Sequence, residues 1–138
     1  GADRIARTAF AALRLLHQIR QETGMTIPLA WQPGPLHQDA AIEVYPGGTL
    51  KARGLPYAGY KRRNEAERAV RQEIINHLDA RFQFDNQSNE RMLDSADSLD
   101  AALCCLAGLD FLDGNVLKPD QSADLTTEGW IWVSPPLT

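Results

Sequence analysis

The chain has 138 residues, with 14 Lys plus Arg against 18 Asp plus Glu and a formal net charge of -4. That length suits one ordinary domain, and the mild acidity excludes a polybasic, histone-like nucleic-acid binder while leaving room for a local basic patch. A hydrophobic fraction of 43% excludes a disordered chain, and no apolar run approaches the roughly 18 residues of a membrane span.

In chain order, Ala2 to Glu22 is predicted as a helix. Ile5, Ala9, Ala12, Leu16 and Ile19 recur at spacings of three and four, Asp3 offers an acceptor near the start, and Gly24 supplies a stop. The stretch from Met25 to Ala41 is loop-rich, with Leu29, Ala30 and Trp31 as a short edge strand or a plug between Pro28 and Pro33. Ala41 to Tyr45 is the best strand pattern, ended by Pro46-Gly47-Gly48, and alternation puts Ile42 and Val44 on one side and Glu43 and Tyr45 on the other.

Thr49 to Leu55 adds at most a helical turn. A second long helix is expected over Asn64–Arg81, with Asn64 as cap and Glu65 and Glu67 facing the positive end of the dipole. Phe82 to Leu93 is polar and reads as an exposed connection. The third helix, Ser95 to Leu109, is almost wholly apolar past its first turn, which predicts burial on all sides. Trp130 to Val133 closes the pattern as a short strand before Pro135-Pro136. The two cysteines, Cys104 and Cys105, are adjacent in the apolar helix. They form neither a disulfide framework nor a zinc motif, so a reducing, cytoplasmic setting is expected, with inert thiols.

Three groups of residues can carry chemistry. Asp97 and Asp100 are three apart near the N-terminal end of the third helix, so their carboxylates share a face. Either they cap the helix, or they hold a hard divalent cation such as Mg²⁺ or Mn²⁺, which relieves their mutual repulsion. Glu43 lies inside an apolar strand and faces either solvent or a site. The run Tyr57, Tyr60, Lys61, Arg62, Arg63 opens the second helix, where positive charge opposes the dipole. Phosphate contact is one reason to keep it there, with Lys61 the favoured member; a solvated face of alternating charge is the other, and is preferred for Arg68 and Arg71. No phosphate-binding Gly-rich loop, zinc-protease motif or nucleophile elbow is present.

Asp97-Ser98-Leu99-Asp100-Ala101-Ala102, Ile42-Glu43-Val44-Tyr45-Pro46, Asp3-Arg4, Tyr60-Lys61 and Glu128-Gly129-Trp130-Ile131-Trp132-Val133 together resemble domain-of-unknown-function family 429, predicted nucleases of ribonuclease-H-like fold. The resemblance implies an α/β fold with three long helices and few short strands. Residues 1–138 would form a single domain corresponding to the C-terminal part of that fold, without its leading strands.

It further implies a divalent-metal-dependent phosphodiester hydrolase, weak or inactive as this piece. Asp97 and Asp100 would hold Mg²⁺ or Mn²⁺, Glu43 and Lys61 would join the catalytic set, and Arg4, Tyr60 and Arg63 would contact substrate. Nucleic acid is the implied partner, and open sheet edges would favour a homodimer or pairing with a missing N-terminal part. The rival expectation is a non-catalytic interaction or structural domain whose acids only cap a helix.

Overall fold

The computed structural model describes residues 2–78, 81–120 and 129–136, with side chains from residue 6 onward. The chain divides into two compact units, residues 1–30 with 36–41, and residues 31–35 with 42–138.

The first unit is built on α1 (Ala2–Thr23), the expected helix extended by one residue. It ends where Gly24 takes a φ of 73°, a left-handed conformation that glycine adopts without strain, and the Gly24 amide donates to the Arg20 carbonyl at 2.9 Å. Beyond it, Leu29 forms an isolated parallel bridge with Ala41. Asp3 and Arg4 fall in the first turn of α1, and their side chains lie outside the described residues.

Among the described residues, the second unit holds four helices: α2 (Pro46–Ala52), α3 (Glu65–Leu78), α4 (Asn86–Asp94) and α5 (Ala96–Leu112). Proline opens α2, where its fixed φ suits the first helical position and its missing N–H leaves nothing unpaired. In α3 the buried residues are Arg71, Ile74, Ile75 and Leu78, a stripe at helical spacing. The segment expected as an exposed connection contains α4. Asp85 caps it by accepting from the Ser88 amide at 2.6 Å, and Met92 and Leu93 are buried at its far end. Ser95 alone separates α4 from α5; it ends one helix and caps the next.

α5 packs against α2, α3 and α4. Its core stripe is Leu99, Leu103, Leu106, Ala107 and Phe111, and with Leu50, Tyr60, Ile74, Ile75 and Leu78 these residues form the buried centre of the unit. Asp110, in the same stripe, is 1% exposed and pairs with Arg53 through both carboxylate oxygens, at 2.7 and 2.5 Å. Burial on all sides does not hold: Ala101, Cys104, Cys105 and Leu112 are exposed on the opposite face. The two thiols are therefore surface groups, and both are unpaired in disulfides. Desolvation, with Asp100 one turn away, still holds the Cys104 thiol above its usual pKa.

The ribonuclease-H-like α/β fold is not adopted. Among the described residues there are helices and two isolated parallel bridges, Leu29 with Ala41 and Glu43 with Ile131, and no sheet. The segment around Glu43 does alternate, with Ile42 and Val44 partly buried and Glu43 and Tyr45 exposed. Its pairing stops after one bridge, marked by the Trp132 amide donating to the Glu43 carbonyl at 3.0 Å. Trp132 is instead held by packing, edge-on to Phe111 with ring centroids 5.0 Å apart. No helix of the described residues is long and apolar enough to cross a membrane.

Candidate functional site

The site grows from the N-terminal end of α5. Ser95 accepts from the Ser98 amide at 3.4 Å, so neither nearby aspartate is needed as the side-chain cap. Asp97 is exposed in the first turn, and Asp100 one turn later has 24% of its side chain exposed. Helical spacing places both carboxylates on one side.

Asp100 is approached from the turn that precedes α3. The Tyr60 hydroxyl donates to Asp100 Oδ1 at 3.0 Å, and Lys61 Nζ forms an ion pair with Asp100 Oδ2. The same ammonium lies 4.6 Å from the Tyr60 ring centroid, within cation–π range. Tyr60 is 1% exposed, and burial, reinforced by the charge of Asp100 and opposed by Lys61, pushes its pKa up to about 12. The phenol therefore stays protonated through the neutral range and serves Asp100 as a donor. For Lys61, burial works against the ammonium, but hydrogen bonds to Asp100 and Tyr60 outweigh it and raise the pKa above the usual lysine value.

Arg71 makes this turn rigid. It is 2% exposed, and its guanidinium donates to the carbonyls of Leu93 at 2.6 Å, Tyr60 at 2.7 Å and Arg62 at 2.9 Å. The solvated face expected for Arg71 is thus overturned. Its spacing from Ile74, Ile75 and Leu78 was the signal that places it inside. Arg68 is the outward member, paired with Glu90 and Asp94.

The expected residues do not all converge. Asp97, Asp100, Tyr60 and Lys61 belong to one locality. Arg63 is exposed and lines a cleft beside it with Asn64, Arg68 and Arg71. Glu43 lies elsewhere, its Oε2 only 3.3 Å from where a Cβ on Gly129 would sit. Glu128 and the side chain of Arg4 lie outside the described residues.

Among the described residues, no group of three or more His, Cys, Asp or Glu can hold a metal ion. Asp97 and Asp100 do offer the hard oxygen donors that Mg²⁺ or Mn²⁺ prefers, and Mg²⁺ commonly takes only one or two protein carboxylates beside water and substrate oxygens. The pair offers such an ion donors of the right kind, and Lys61 is the resident positive charge it would have to displace.

A family model described as a protein of unknown function (DUF429) matches residues 2–124. This chain belongs to the DUF429 family. No curated protein and no solved structure matches it. In this DUF429 protein, Asp100 is where Tyr60 and Lys61 converge.

Proposed function

We propose that this DUF429 protein acts on phosphodiesters, as a divalent-cation-dependent hydrolase whose working groups are Asp97, Asp100, Lys61 and Tyr60. The carrying observation is that Asp100 already binds a cation, the Lys61 ammonium, while Asp97 stands exposed one turn before it. Asp97 and Asp100 would hold Mg²⁺ or Mn²⁺, which supplies charge neutralisation and an acidified water when bound. Tyr60 keeps Asp100 Oδ1 fixed through its hydroxyl. Lys61, on a flexible stem and about half exposed, is free to turn its ammonium to a phosphate oxygen.

The test is Asp100→Asn, which keeps the size and one acceptor oxygen but removes the charge that offsets the cation. Calorimetric titration with Mn²⁺ should show saturable binding by the wild type and little by the variant. Cleavage of a generic nucleic-acid substrate should fall with it. Identical Mn²⁺ binding by both proteins removes Asp100 from the site.

A second reading, a protein-interaction module, is favoured by a different observation. Phe10 and Leu13, three apart on one face of α1, are 68% and 62% exposed, and adjoining exposed apolar side chains of this kind mark interaction surfaces. Absence of cleavage with either cation, together with self-association that Phe10→Ser abolishes, would select this reading.

A further inference from the structure

We propose that the cleft at the start of α3 binds a phosphate group, with Arg63 and Arg71 supplying the charge. The cleft has a volume of about 480 Å³. The proposal does not depend on a cation at Asp97 and Asp100.

Charge pairing in this unit singles out two arginines. Arg53 faces Asp110, Arg62 faces Glu67, Arg68 faces Glu90 and Asp94, and Arg81 faces Asp113. Arg91 lies close enough for its charge to act on Asp85. Arg63 and Arg71 have no carboxylate partner among the described residues, and both line the same cleft. Arg71 is the sharper case. An arginine whose residue is only 2% exposed normally has a counter-charge, because burying an uncompensated ion is costly. Its three hydrogen bonds go to neutral carbonyls through Nε and Nη1, so they satisfy donors without cancelling charge.

The surroundings suit an anion with several acceptor oxygens. The first bond of α3 runs from the Arg68 amide to the Asn64 carbonyl at 2.9 Å, and the Glu67 amide is capped by Asn64 Oδ1 at 2.8 Å. The amides of Glu65 and Ala66 precede those bonds and have no partner within the helix. The acids at the rim are Glu65 and Asp94, and Asp94 is already held by Arg68. A tetrahedral phosphate presents enough oxygens for two guanidinium groups and a pair of amides at once. A free phosphate compound and a polynucleotide backbone share that chemistry, and the test separates them.

Inorganic phosphate is titrated into the chain by calorimetry at low ionic strength, with a chelator present to remove divalent cations. Saturable binding is expected. Arg63→Gln should weaken it about tenfold, the usual scale of a lost charge-assisted contact. Asn64→Asp should weaken it at least as far, because Asp caps a helix as well as Asn while placing a negative charge in the cleft. Circular dichroism of both variants should match the wild type. A short single-stranded oligonucleotide in the same cell gives the source: tighter binding than phosphate, competing with it, assigns a polynucleotide backbone, and weaker binding assigns a small phosphate compound. No saturable binding of either probe, or binding unchanged in both variants, overturns the proposal. Asp100→Asn should leave phosphate binding in chelator intact, so the failure of either site is read separately from the other.

Discussion

Replacing Leu103 by Ala is the direct test of how α5 is seated, and with it the placement of Asp97 and Asp100. Leu103 is completely buried in the cluster formed with Leu50, Ile74, Ile75, Leu99 and Leu106. Removing its outer carbons forfeits about 2 kcal/mol of transfer free energy at roughly 0.8 kcal/mol per methylene. The cavity left among residues from several helices raises the expected loss to about 2–5 kcal/mol. Urea unfolding followed by tryptophan fluorescence reads it, since Trp132 is 1% exposed and packed on Phe111 from the same helix. The slope against urea should stay unchanged while the midpoint falls. Cys105→Ser, on the exposed face, should change stability by no more than about 0.5 kcal/mol. A loss under 1 kcal/mol at Leu103, or an equal loss at Cys105, would mean that α5 presents a different face to the core.

Two further outcomes follow from buried polar groups. In spectrophotometric titration one of the phenols should deprotonate only near pH 12, and Tyr60→Phe should remove that step. Because the folded pKa lies above the unfolded value of about 10, this contribution to stability is complete below pH 10 and is lost as pH rises through 12; the Phe variant should flatten that part of the stability curve. Asp110→Ala leaves Arg53, whose side chain is 14% exposed, without its carboxylate, and should cost about 3–5 kcal/mol in the same urea assay. A loss below 1 kcal/mol there would show that solvent reaches the pair.

The helices that read clearly from sequence are those with a strong apolar period. α1, α3 and α5 begin and end within a few residues of the expected limits, and Asn64 and Ser95 act as caps. α4 was hidden because its apolar residues sit at one end; the capping relation between Asp85 and Ser88 was its only local signal. Uniform apolarity in α5 identified a helix but could not say which face is covered, since a residue such as Cys104 is compatible with either side. The extended segments show a different limit. Local alternation around Glu43 is real, but pairing requires a partner at the right register, and a β-rich pattern does not supply one. At the site, the spacing of Asp97 and Asp100 marked a shared face. That Lys61 and Tyr60 would both converge on Asp100 was not readable, because the pairs are separated by 39 and 40 residues.

That convergence depends on a side chain outside the Asp100 cluster itself. Arg71 reaches the carbonyl of Leu93, just before the Ser95 cap of α5, and the carbonyls of Tyr60 and Arg62 on either side of Lys61. One guanidinium thus fixes the approach of the basic turn to the acidic start of α5. Lysine cannot take its place, because a single ammonium on a flexible stem does not present donors in the planar fork needed to span three carbonyls from two chain segments. Conserving the charge at position 71 would therefore not conserve the site. The Tyr60 hydroxyl and Lys61 ammonium meet Asp100 only while the backbone beneath them is held, and Arg71 holds it from the buried face of α3.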